Sequence, residues 1–101
     1  DPSLFSHASA ENLCALLSEQ VVDAPPPLMG RWSSTAPEAA LADLVHTVMG
    51  LPPGDEREAT ALAVVREHHA DALAGGAAPR DALRSAFVLA CESPFALSSG
   101  L

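Results

Sequence analysis

A chain of 101 residues is long enough for one domain with a single core and too short for two. Thirteen acidic residues against five arginines and no lysine give a formal net charge of −8, which repels phosphate backbones and argues against nucleic-acid binding. The lack of lysine also argues against Schiff-base catalysis and a P-loop, and no apolar run reaches the roughly 18 residues of a membrane span.

The 20 alanines favour helix over strand. The first predicted helix covers residues 10–22, with Ser9 as its N-cap and with Leu13, Leu17 and Val21 at four-residue spacing along one face. Three consecutive prolines then deny the backbone donors that a helix requires, so residues 23–35 are predicted to be a long irregular loop.

Three further helices follow at 36–49, 56–74 and 79–91. Thr35 and Glu38 have the spacing of a capping box before the second helix, and three carboxylates among residues 55–58 suit the N-terminus of the third. Pro79 opens the fourth, which Pro94 closes, and a short apolar tail covers 94–101. The sequence therefore predicts one all-α domain, a small four-helix up-down bundle.

The two cysteines fit this topology. In an up-down-up-down bundle the fourth helix finishes at the end of the bundle where the first helix begins. Cys14 near the start of the first helix is therefore predicted to meet Cys91 in the last turn of the fourth. We expect a disulfide between them, which implies an oxidising compartment. The alternative is two buried free cysteines that act as small hydrophobic residues in a cytoplasmic protein.

The chain opens with Asp1-Pro2-Ser3 and no initiator methionine. This start is expected of a mature form whose export signal has been removed, although an excised fragment would look the same. Together with the expected disulfide, it predicts an extracellular or periplasmic location.

The histidines are the candidates for metal binding. His68 and His69 are adjacent, so helical geometry directs them about 100° apart, and a third ligand such as His46 would have to come from the second helix. The simpler interpretation places His69 at the edge of the core and His68 in solvent. No H-E-x-x-H or paired C-x-x-C spacing is present, so no metal or other cofactor is expected.

The loop after the first helix is the candidate contact surface, because tryptophan, methionine and arginine are enriched at protein interfaces. The alternative is that Trp32 folds back as the lid of a core with few other large side chains. Apolar residues of the tail could join such a surface. The predicted contact residues are Leu28, Met29, Arg31, Trp32, Phe95, Leu97 and Leu101.

No G-x-S-x-G turn or other catalytic signature is present, and the clustered carboxylates are explained by helix capping. The sequence thus predicts a non-enzymatic exported structural or interaction module that binds a protein partner or associates with itself as a homo-oligomer or filament. The alternative is a small helical protein that binds a metal through His46, His68 and His69, or an apolar ligand in a cleft between helices.

Overall fold

A computed structural model describes the backbone of residues 2–25 and 30–93 and the side chains of residues 12–25 and 30–93. Within these residues the chain is helical and forms no strand. The helices are α1 (Pro2–Val21), α2 (Pro37–Thr47), α3 (Glu58–Ala74) and α4 (Pro79–Cys91). The predicted all-α fold with four helices is confirmed.

Helix α4 is at the centre of the fold. It packs against each of the other three helices, whereas α1, over the described residues, packs against α4 alone. Proline at the first position does not destabilise α4, because the backbone nitrogen at this position has no hydrogen-bond acceptor within a helix. The apolar residues of α4 recur every three or four positions and form one buried face, which consists of Ala82, Leu83, Ala86, Phe87 and Ala90.

The core around α4 is built mainly from aliphatic side chains. Burying one such side chain fully is worth about 1.5–3 kcal/mol relative to exposing it. The largest side chains that are withdrawn from solvent are Val22, Leu41, Leu44, Val45, Leu51, Val65 and Leu83.

A disulfide joins Cys14 of α1 to Cys91, the last residue of α4, with 5.9 Å between the Cα atoms. The predicted bond between the first and fourth helices is confirmed. One premise of that prediction was wrong, because α1 begins at Pro2 and Cys14 therefore lies beyond its midpoint. The bond requires only that the two cysteines face each other where α1 crosses α4.

Helix α1 departs from prediction in its start and in its buried face. Ser9 lies within the helix and is not its N-cap, and Pro2 takes the first helical position. Leu13 was expected in the core but is 56% exposed, whereas Cys14 and Ser18 are buried. A helix with one neighbour buries a narrow stripe, and the apolar residues of α1 lie on more than one side of it.

Helix α2 is shorter than the predicted 36–49. Its last turn is closed by N–H groups of Val48 and Met49, which both donate to the Leu44 carbonyl, and Gly50 then adopts a φ of 74°. Such a φ favours glycine, which explains the stop at this residue.

The predicted capping box before α2 is wrong. The N-cap of α2 is Ala36, which makes no side-chain capping bond. The Thr35 hydroxyl instead lies 2.7 Å from that of Ser33.

Helix α3 begins at Glu58, two residues later than predicted, after a turn that acidic side chains stabilise. The Asp55 carboxylate accepts a hydrogen bond from the Arg57 N–H at 2.8 Å, and that of Glu58 accepts one from the Gly54 N–H at 2.9 Å. Both donors precede the first residue of α3, so these bonds fix the turn that leads into the helix.

The loop after α1 is closed at its base by two backbone hydrogen bonds. The Asp23 N–H donates to the Trp32 carbonyl at 2.9 Å, and the Trp32 N–H donates to the Val21 carbonyl at 2.8 Å. A Cβ at Gly30 would lie 2.6 Å from the Ala24 nitrogen, so the returning chain needs glycine here. This closure positions Trp32 over the core.

Candidate functional site

A cleft of about 490 Å³ opens beside α3 and α4. Its lining is strongly apolar and combines buried side chains with partly exposed ones. The apolar lining residues are Met49, Ala61, Val64, Val65, Leu89 and Ala90. Ala61 and Ala90 fill little space because each contributes only a methyl group.

Val64 is the apolar lining residue that most needs explanation. It is 48% exposed, whereas Met49 and Val65 in the same lining are buried. Burial of an apolar side chain removes its surface from water and lowers the free energy. The cleft therefore offers an apolar surface that a ligand could cover.

The polar lining residues are Glu56, Arg57, Thr60, Glu92 and Ser93. Arg57 is held in place by Asp55, to which its Nε and Nη2 both donate at 3.0 Å. Hydrogen bonds from the Arg57 side chain and backbone lower the pKa of Asp55 to about 2. Both groups are thus charged at neutral pH.

A cleft between helices is the predicted alternative site, but none of these lining residues was predicted. Val64 is an apolar residue that stays half exposed beside the buried Val65, and no motif in the sequence singles it out. The position of the cleft depends on how α3 and α4 pack against each other. Hydrophobic periodicity in the sequence does not specify that packing.

Trp32 is the lid of the core. Its ring is 7% exposed and packs 5.8 Å from the ring of Phe87, centroid to centroid. The indole Nε1 donates to Asp43 Oδ2 at 2.8 Å. Of the predicted contact residues that the structure describes, Trp32 is therefore largely covered and Arg31 is exposed.

Arg31 covers the outer side of this lid. Its guanidinium lies 5.5 Å from the centre of the Trp32 ring, and its Nε donates to Asp43 Oδ2 at 2.9 Å. The hydrogen bond from Arg31, with a smaller contribution from Trp32, lowers the pKa of Asp43. The other predicted contact residues lie outside the described residues, namely Leu28, Met29, Phe95, Leu97 and Leu101.

The three candidate metal ligands each have a different environment. His46 Nδ1 lies 2.8 Å from the Leu51 carbonyl, and His68 Nε2 lies 2.6 Å from Ser85 Oγ. His69 was predicted at the edge of the core and is buried, at 9% exposed, whereas His68 is half-buried against α4, so its predicted exposure is wrong. Over residues whose side chains are described, no three His, Cys, Asp or Glu side chains lie close enough to hold a metal ion.

The contact between His68 and Ser85 has the residue types of a nucleophile and its base. In such sites a third group orients the histidine. No carboxylate within the described part of the chain hydrogen-bonds to this imidazole. The pair forms a polar contact between α3 and α4.

Helix α1 presents an apolar surface on the side away from α4. Leu13 and Leu16 are 56% and 60% exposed. Gln20 continues the same face at the next turn and is also exposed. Glu19 follows Leu16 by three positions and is exposed as well, so this face of the described residues combines two leucines with one carboxylate.

Comparison of the chain with known protein families, with curated proteins and with solved structures returned no match in any of the three. Among the described residues, no helix has the length and apolar character required to cross a membrane.

Proposed function

We propose that this domain is a non-enzymatic binding module and that the α3–α4 cleft is its ligand-binding site. One observation carries the proposal: a cleft of about 490 Å³ with an apolar lining, in which Val64 remains half exposed. Sites for small molecules have volumes of about 300–1,000 Å³, with mostly apolar linings and a few polar groups that orient the ligand. The disulfide supports the further proposal that the domain acts in an oxidising, extracytoplasmic compartment.

Introduction of a carboxylate into the cleft is expected to weaken the binding of apolar ligands. We expect Val64→Asp to weaken the binding of Nile red, a neutral apolar dye, by at least about tenfold, because an apolar ligand would desolvate the new charge. The measurement is a fluorescence titration of the oxidised protein.

Leu73→Asp is the matched control, because Leu73 is 40% exposed on the same helix and does not line the cleft. Its dye affinity should stay within about twofold of the parent value, and circular dichroism should show that both variants are folded. Equal losses in the two variants, or no loss in either, would refute the assignment of the site.

Self-association is the second candidate function, and the exposed leucines of α1 favour it. Two copies of a chain with a net charge of −8 repel each other, so buried apolar surface has to supply the attraction between them. Leu13 and Leu16 offer such a surface and are more than half exposed. In a two-fold symmetric dimer, the same two leucines of each copy would meet.

For this candidate, we expect the oxidised protein to be larger than a monomer in size-exclusion chromatography with light scattering, and Leu13→Ser/Leu16→Ser to be a monomer. The serines remove the apolar surface whose burial would stabilise the contact. A monomeric parent protein, or a variant that remains oligomeric, would eliminate α1 as the contact.

A further inference from the structure

The disulfide ends within the stretch of α4 that forms one wall of the cleft. Cys91 is the last residue of α4. The residues on either side of it in the chain line the cleft, namely Leu89, Ala90, Glu92 and Ser93. One end of the bond is therefore placed in the segment that shapes the proposed binding site.

This wall is the end of a helix. The Glu92 N–H donates to the Val88 carbonyl at 3.0 Å, and the Ser93 N–H donates to the Ala90 carbonyl at 3.2 Å. The Ser93 hydroxyl donates to the same Ala90 carbonyl at 2.7 Å. Helix ends fray more readily than helix interiors, so a covalent bond in this last turn restrains the part of α4 that opens most easily.

The second cysteine belongs to a helix that does not line the cleft. Cys14 is 3% exposed, and α1, over the described residues, packs against α4 alone. None of the described residues of α1 is part of the cleft lining. Any influence of the bond on ligand binding therefore acts through the position of the end of α4.

We infer that the cleft is redox-sensitive, so that reduction of the Cys14–Cys91 bond loosens the end of α4 and weakens ligand binding. This inference rests on the proposed function. In the reduction, one thiolate of a dithiol attacks the bond to give a mixed disulfide, and its second thiolate then closes the reductant to a cyclic disulfide. Two electrons pass from the dithiol to the protein, and Cys14 and Cys91 each gain a proton and become thiols.

The test compares the oxidised protein with the same protein reduced by dithiothreitol. Both are titrated with Nile red at about 15 °C, near the usual temperature of maximum stability, and circular dichroism is recorded on the same samples. We expect the reduced protein to remain helical and to bind the dye at least about fivefold more weakly, a factor typical of coupling between sites.

The coupling must also act in the reverse direction. A dye that binds the oxidised form more tightly makes the bond harder to reduce by the same factor, because binding free energies are reciprocal. In a buffer of reduced and oxidised dithiothreitol, saturating Nile red should therefore raise the ratio of oxidised to reduced protein by at least about fivefold. In Val64→Asp the dye should leave this ratio unchanged, because that variant has a weakened site.

Trp32→Ala is the control for a general loss of stability, because it removes a buried side chain that does not line the cleft and leaves the bond intact. Its oxidised form should bind Nile red within about twofold of the parent protein, as expected of a site that it does not touch. If it loses as much affinity as reduction does, the inference is overturned.

The remaining outcomes separate this inference from the proposed function. If the dye binds the oxidised and the reduced protein equally, the inference is wrong and the proposed function stands. If the dye does not bind the oxidised protein, both are wrong. If the reduced protein is unfolded, the inference is overturned, because the bond then supports the whole fold and not this wall in particular.

Discussion

Replacing both Cys14 and Cys91 by alanine is expected to lower the free energy of unfolding by about 4 kcal/mol. The bond joins residues 77 positions apart, and the entropy that such a loop removes from the unfolded chain grows with its length. For a domain of this size, the loss corresponds to a fall in melting temperature of about 15–30 °C. Thermal unfolding of the oxidised protein and the double variant, followed by circular dichroism, measures both quantities.

The reduced parent protein is the control, and it should unfold at a similar temperature to the double variant. Thiol counting on the oxidised protein should find no free cysteine. A loss of stability below about 1 kcal/mol would show that closure of this loop contributes little to stability. That result would also weaken the argument for an oxidising compartment, because the bond would then be dispensable to the fold.

Trp32→Ala is expected to be the second most destabilising change, at about 3–5 kcal/mol. The ring is 7% exposed and packs against Phe87, and truncation of a buried aromatic side chain leaves a cavity in addition to the lost burial. Trp32→Phe keeps most of the ring but loses the hydrogen bond to Asp43, so it should cost about 1 kcal/mol for that bond together with a smaller packing loss. Urea unfolding followed by circular dichroism is the measurement, because the only tryptophan is removed.

Arg31→Ala is the control for the Trp32 variants. Arg31 is more than half exposed, and exposed ion pairs contribute about 0–1 kcal/mol. It should therefore be nearly neutral for stability. If Arg31→Ala and Trp32→Ala cost the same, the stabilising element would be the hydrogen-bonded cluster around Asp43, and the interpretation of Trp32 as a packed lid would be wrong.

The sequence predicts α4 well because several signals agree there. Pro79 marks the start, Pro94 follows the end, and the apolar residues fall on one face, so the predicted and observed helices are both 79–91. In α1 these signals conflict. Leu13, Leu16 and Leu17 are spread around the helix, and periodicity alone does not reveal which of them faces α4.

The candidate site was less predictable than the fold. Its lining comes from both sides of the turn before α3 and from the end of α4, so it exists only once these segments have packed. The histidines were candidate metal ligands because imidazole binds metal ions, yet His46 and His68 each make a local polar contact within the protein. A cleft lined by alanine, valine and leucine has no motif, since the same residues are typical of any helical core.

The central position of α4 also has a consequence for the order in which the domain forms. Helix α1 is synthesised before α4, which is its packing partner in the described structure and begins 58 residues after α1 ends, at Pro79. The segment that precedes α4 therefore lacks the surface that covers α1, and contacts between such distant segments form slowly. Cys14 must wait for Cys91 in the same way, so the disulfide forms only after the last residue of α4 has been synthesised.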